Sequence, residues 1–117
     1  MGDARRARGA VAAAFESAQV PFLAALVEQP SCTREPEDVE AAARIVDDMA
    51  AQVGLARRIV ADPEARFADH RVYATPAAAE GPALALVGHV DTVFPRSMGF
   101  SGFSREGTWR AAPASST

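Results

Sequence analysis

The sequence predicts an α/β fold, two helices followed by three strands of a mixed sheet. Three observations lead there. Through the first fifty residues apolar side chains recur at spacings of three and four, the period of a helix with one buried face. Beyond Gly54 the apolar runs become short and gather Val, Ile and Tyr, which suit strands. No segment repeats another, which sets aside solenoids and propellers.

The first helix is expected over residues 4–28. Val11, Phe15, Ala18, Phe22 and Leu26 make one stripe along it. Pro21 falls inside the pattern, so the helix either kinks there or starts afresh after Val20. Pro30 stops it, and Gln29-Pro30-Ser31 becomes a loop. A second helix starts near Pro36, with Thr33 as a candidate cap and Glu37 and Asp38 at the positive end of its dipole. Val39, Ala42, Ala43, Val46, Met49 and Val53 form its expected buried face, and Gly54 ends it. Asp47 and Asp48 fall on its polar side and are expected in solvent.

The strands follow. Ala56 to Val60 is the first, with Arg57 and Arg58 on or beside a sheet edge. Asp62-Pro63 marks a turn. His70 to Thr75 is the second strand and 76–82 a connection. Ala83 to Val87 is apolar without interruption, the pattern of a strand covered on both faces. Residues 108–117 have no periodicity and resemble a disordered tail.

Composition narrows the function. A net charge of -3 argues against nucleic acid as a partner. Arg5, Arg6 and Arg8 are expected to be solvated. They precede an alanine run, as in a targeting signal, but Glu16, Gln19 and Pro21 interrupt it. No stretch reaches the roughly 20 apolar residues of a membrane span, so a cytoplasmic protein is expected. Cys32, the sole cysteine, can form no internal disulfide and is expected as a small buried filler.

The chemistry concentrates where the third strand ends, at Gly88-His89-Val90-Asp91-Thr92-Val93. The carboxyl ends of strands are where open α/β sheets bind ligands. In extended chain, residues two apart share a side, so Asp91 reaches whatever His89 holds. Neutral imidazole is a zinc ligand, and a carboxylate beside it orients such a ligand. The residues alone leave other readings open. A lone histidine at a strand end is usually structural, and Asp91-Thr92 also fits a turn or a helix cap. His70 lies at the opposite end of a strand or in a loop and is expected at the surface.

The string from Gly88 to Val93, after an apolar strand and before Pro95, resembles the first metal-binding motif of one large hydrolase family. That family holds glutamate carboxypeptidases, acetylornithine deacetylase, succinyl-diaminopimelate desuccinylase and aminoacylases. Phe22-Leu23, Leu26-Val27 and Pro30-Ser31 are similar to its first helix and following loop, and the resemblance covers roughly residues 11–107. It implies the N-terminal part of a co-catalytic zinc exopeptidase-like domain. It implies that His89 binds one of two zinc ions and that Asp91 is the supporting catalytic residue. The implied reaction is hydrolysis of an amide bond in a small peptide or N-acyl amino acid, and Phe94-Pro95 leans toward carboxypeptidases. A homodimer is expected only of a full-length form.

The family's bridging aspartate, glutamate pair, further acidic ligand and final histidine have no counterpart in this sequence. A chain with one ligand is therefore expected to be inactive, to hold zinc weakly at most, and to dissolve poorly. All basic residues are arginine and alanine abounds, as in a gene rich in G and C. Restoring one base after the Gly107 codon lets the tail read Gly-Asp-Val-Ala-Arg-Gly-Pro-Gly-Val-Leu-Asp, with third positions chosen as G or C. Residues 1–107 are thus expected to be a metallopeptidase segment and 108–117 an out-of-frame product of a frameshift. The alternative is a small non-enzymatic α/β module that binds a partner through its sheet edge.

Overall fold

The computed structural model describes residues 2–99 and 102–106. The tail at 108–117 lies outside them. Helix α1 (Gly2–Ala14) runs through a π-helical turn (Phe15–Gln19) into α2 (Val20–Glu28). Helix α3 (Pro36–Gln52) follows, then strands β1 (Ala56–Val60) and β2 (His70–Ala74). Short 3-10 turns occupy Pro76–Ala79 and Arg96–Met98.

Proline explains the π-turn. Pro21 has no N–H and its ring would press on the carbonyl one turn back. Widening the preceding turn removes that conflict, and the Val20 amide bonds to the carbonyl of Phe15, five residues back. The helix therefore continues, with Pro21 in the first turn of a new α-segment. Along it Phe15, Ala18, Phe22 and Leu26 are half-buried, whereas Val11 is exposed. The run Gly2–Glu28 has the length and apolar composition of a membrane span, which corrects the expectation that no segment does. Soluble core helices and signal sequences share those two properties.

Helix α3 lies between α2 and β1. It buries Val39, Ala42, Ala43 and Ala50, and Cys32 completes this small apolar core beside the buried Ser31. Burying Val39 contributes about 1.5 kcal/mol. Val46 and Met49 are half-covered, but Val53, expected inside, is exposed because the helix has already ended around it. The end is a Schellman motif. The Leu55 amide bonds to Ala50 O at 2.9 Å and the Gly54 amide to Ala51 O at 3.1 Å. Gly54 takes φ 79°, which a Cβ disfavours.

The polar side of α3 is not free in solvent, contrary to expectation for Asp47. Arg71 of β2 bonds Glu40 Oε2 at 2.6 Å, and Glu40 Oε1 accepts the Asp69 amide at 2.8 Å. Asp47 accepts the Tyr73 hydroxyl at 2.6 Å and Arg57 Nη1 at 2.7 Å. Spacing alone places Asp47 on the outer face; the sheet then folds over that face and covers it. Asp48 is exposed as expected.

The sheet has two antiparallel strands, with Arg58 opposite Val72 at its centre. The intervening turn is built on Asp62, whose Oδ2 accepts the amides of Arg66 and Phe67 at 2.6 and 3.0 Å. Among the described residues there is no third strand, which corrects the expected three-stranded mixed sheet. Ala83 to Val87 is irregular and exposed, with Leu84 at 90%, Leu86 at 91% and Val87 at 97%. A doubly covered strand needs neighbours for its main-chain groups and layers over its side chains. Among the described residues β1 and β2 pair only with each other.

Two outcomes test this packing. Gly54→Ala lowers stability by about 1 kcal/mol in urea denaturation, because the left-handed backbone acquires a Cβ. The Glu40 carboxyl is held below its usual 4.5 by the Arg71 hydrogen bond, which outweighs burial. Burial pushes Asp47 up, but Tyr73, Arg57 and Arg71 together leave it below 3.8. Both folded values are lowered, so their stabilisation is complete above the unfolded values and is lost as pH falls through the folded ones. The urea midpoint therefore falls on acidification below about pH 4.5, and the fall is shallower in a Glu40→Gln, Asp47→Asn variant.

Candidate functional site: the His89–Asp91 pair

The segment bearing His89 and Asp91 is held by the loop between α2 and α3. Thr92 N–H donates to Ser31 O at 2.8 Å, and Thr33 N–H donates to Thr92 O at 2.9 Å. These two bonds form a parallel bridge centred on Cys32 and Thr92. The Glu35 amide bonds Cys32 O at 2.8 Å and turns the loop into α3. On the other side, Arg96 grips Asp38 in the first turn of α3 through two bonds of 2.9 and 2.8 Å. Residues 91–96 are thus fastened to the start of α3 at both ends.

Within this frame the two sequence-predicted site residues meet. His89 Nδ1 lies 3.2 Å from Asp91 Oδ1 and 2.9 Å from the Asp91 carbonyl oxygen. Both neighbours are acceptors, so the neutral ring carries its proton on Nδ1 and keeps its lone pair on Nε2. The His89 side chain is 81% exposed and that of Asp91 34%.

The other oxygen of Asp91 has its own partner. Thr33 Oγ1 lies 2.6 Å from Oδ2 and 3.0 Å from Thr92 O. A hydroxyl has one proton, and the shorter, charge-assisted bond to the carboxylate takes it. This bond, against the opposing effect of burial and with help from the Asp91 amide and the His89 ring, holds the carboxyl below its usual 3.8. Asp91 is therefore an anion at neutral pH.

Thr33 was expected to cap α3. The residue preceding the helix is instead Glu35, without a side-chain cap, and the Thr33 hydroxyl is turned toward Asp91. Sequence offers no signal for this contact, since the two residues stand 58 apart. Cys32 is buried and His70 is exposed at the start of β2, both as expected.

Two cavities flank the pair. One of about 460 Å³ is lined by Leu26, Pro30, Ser31, His89, Phe94 and Pro95 among others. The second, about 820 Å³, includes Val39, Asp62, His70, Tyr73, Leu86 and His89 in its wall. His89 borders both. The imidazole fits one position of a metal ion, with Asp91 as its orienting carboxylate. Among the described residues, no group of three His, Cys, Asp or Glu side chains is placed to hold an ion, so the pair does not make a whole coordination set.

No family model matches this chain, and neither a characterised protein nor a solved structure is detectably similar to it.

This strap, the two main-chain bonds that join Ser31 and Thr33 to Thr92, predicts the behaviour of Cys32. Cys32 is 6% exposed, and its thiol reacts with a disulfide reagent more than about tenfold slower in the native chain than in urea. Equal rates would mean that the bridge to Thr92 does not form.

Proposed function

We propose that the chain carries the N-terminal part of a zinc-dependent hydrolase that cleaves amide bonds in small peptides or N-acyl amino acids. His89 is a metal ligand through Nε2, and Asp91 is the carboxylate that orients it. The observation that carries this reading is the Nδ1 contact of His89 with Asp91, which leaves Nε2 as the lone pair free to bind a metal. The resemblance of Gly88-His89-Val90-Asp91-Thr92-Val93 to a zinc-hydrolase motif supports it.

When bound, a metal pair supplies Lewis acidity and an activated water. The residues here hold and orient one ligand and line a wall beside it. Asp91 fixes the ring and its proton at Nδ1, and Thr33 fixes Asp91. The cavity of Leu26, Phe94 and Pro95 offers an apolar wall beside the imidazole for a substrate side chain. The remaining ligands and the general base belong to residues outside this set, so the chain by itself is expected to lack activity.

A second reading has one observation in its favour. Leu84, Leu86 and Val87 are exposed on a segment with no strand partner among the described residues. Such a segment suits a non-enzymatic module that pairs with another chain by strand addition.

The gene decides between the two. Its DNA is read from the codon of Phe103 onward in all frames. The hydrolase reading expects one restored base to open a frame with a further aspartate, a glutamate pair and a histidine. The protein made from that frame then hydrolyses an N-acyl amino acid or a peptide ending in glutamate, chelation stops it, and His89→Ala lowers kcat by about a hundredfold or more. A confirmed stop with no such frame contradicts the reading and leaves the binding module.

A further inference from the structure

We infer that Thr33 is a positioning residue: its hydroxyl, by holding Asp91 Oδ2, sets which nitrogen of His89 carries the proton. The inference rests on the same site as the proposed function, but concerns a residue 58 positions away from Asp91. A carboxylate at the end of one bond is free to rotate. If Asp91 turned, Oδ1 would leave Nδ1 of His89, and of the two acceptors at that nitrogen the Asp91 carbonyl oxygen alone would remain, so the share of rings with the proton on Nε2 would rise. The 2.6 Å bond from Thr33 Oγ1 prevents that rotation.

The main chain of Thr33 has a separate task. Its amide donates to Thr92 O at 2.9 Å whatever side chain the residue has. The hydroxyl can therefore be removed without cutting the strap. The Asp91 carbonyl oxygen, 2.9 Å from Nδ1, is the competing explanation for the tautomer. It is unaffected by the orientation of the carboxylate, and the two accounts part on that point.

The experiment is long-range nitrogen–proton NMR of the imidazoles of the full chain, metal-free, at pH 8, in wild type, Thr33→Ser, Thr33→Val and Asp91→Ala. Cys32 protection reports on the fold of each. Expected are mainly Nδ1–H at His89 in wild type and Thr33→Ser, and a clear rise in the Nε2–H share in Thr33→Val and Asp91→Ala. His70 is the internal control and does not change. Retention of Nδ1–H in Thr33→Val with Cys32 still protected overturns the inference. If Thr33→Val unfolds, Asp91→Ala decides: retention there assigns the tautomer to the carbonyl alone and overturns it equally. The readout needs no metal. A tautomer that follows Thr33 while zinc ignores Nε2 would sink the hydrolase reading and leave the positioning role standing.

Discussion

Everything at the site depends on the strap between the α2–α3 loop and the segment after His89. Two main-chain bonds, Thr92 N to Ser31 O and Thr33 N to Thr92 O, join chain regions some 60 residues apart. The residues between them in space are buried: Ser31 at 5% and Cys32 at 6%. This gives the bonds a partly dry setting, in which an unmade main-chain bond would cost more than in water. The strap also brings the Thr33 hydroxyl to Asp91, and Asp91 to His89. Without it the histidine would sit on an exposed extended segment with no defined orientation.

Helix α3 makes that strap possible. Its small core of Val39 and three alanines is modest in area. The opposite flank compensates with charge. Glu40 and Asp47 receive Arg71, Arg57, Tyr73 and the Asp69 amide, and so tie the sheet to the helix. Arg96 grips Asp38 at the other end. The helix is fixed by its polar side to β2 and by its start to the segment that follows the histidine. The π-turn at Phe15–Gln19 serves the neighbouring helix similarly, since it lets Pro21 remain within a continuous run and keeps Phe22 and Leu26 on the covered side.

Local signals were legible in the sequence, and contacts between distant segments were not. Pro36 at the start of α3 and Gly54 at its end follow from proline's fixed φ and glycine's access to left-handed backbone. The two paired strands follow from β-branched and aromatic residues between turn signals. The contact of His89 with Asp91 follows from the two-residue period of extended chain. Ala83 to Val87 misleads because an apolar run states what a strand needs and not whether neighbours are present. Asp47 misleads because helical periodicity places a residue on a face and says nothing of what later covers it. Thr33 is ambiguous in the same sense, since a cap three residues before Pro36 and a partner for a distant carboxylate call for the same hydroxyl.

Under the proposed function, His89 offers Nε2 to a metal from a position fixed by Asp91. The most direct measurement is a zinc titration of the full chain followed at the nitrogen resonances of its two histidines. His70, exposed at the start of β2, is the reference for adventitious binding. The account predicts that His89 Nε2 moves at lower zinc concentration than either nitrogen of His70, and that Asp91→Ala brings the two histidines together. Parallel movement of both histidines in the wild-type chain, or ligation of His89 through Nδ1, would contradict it.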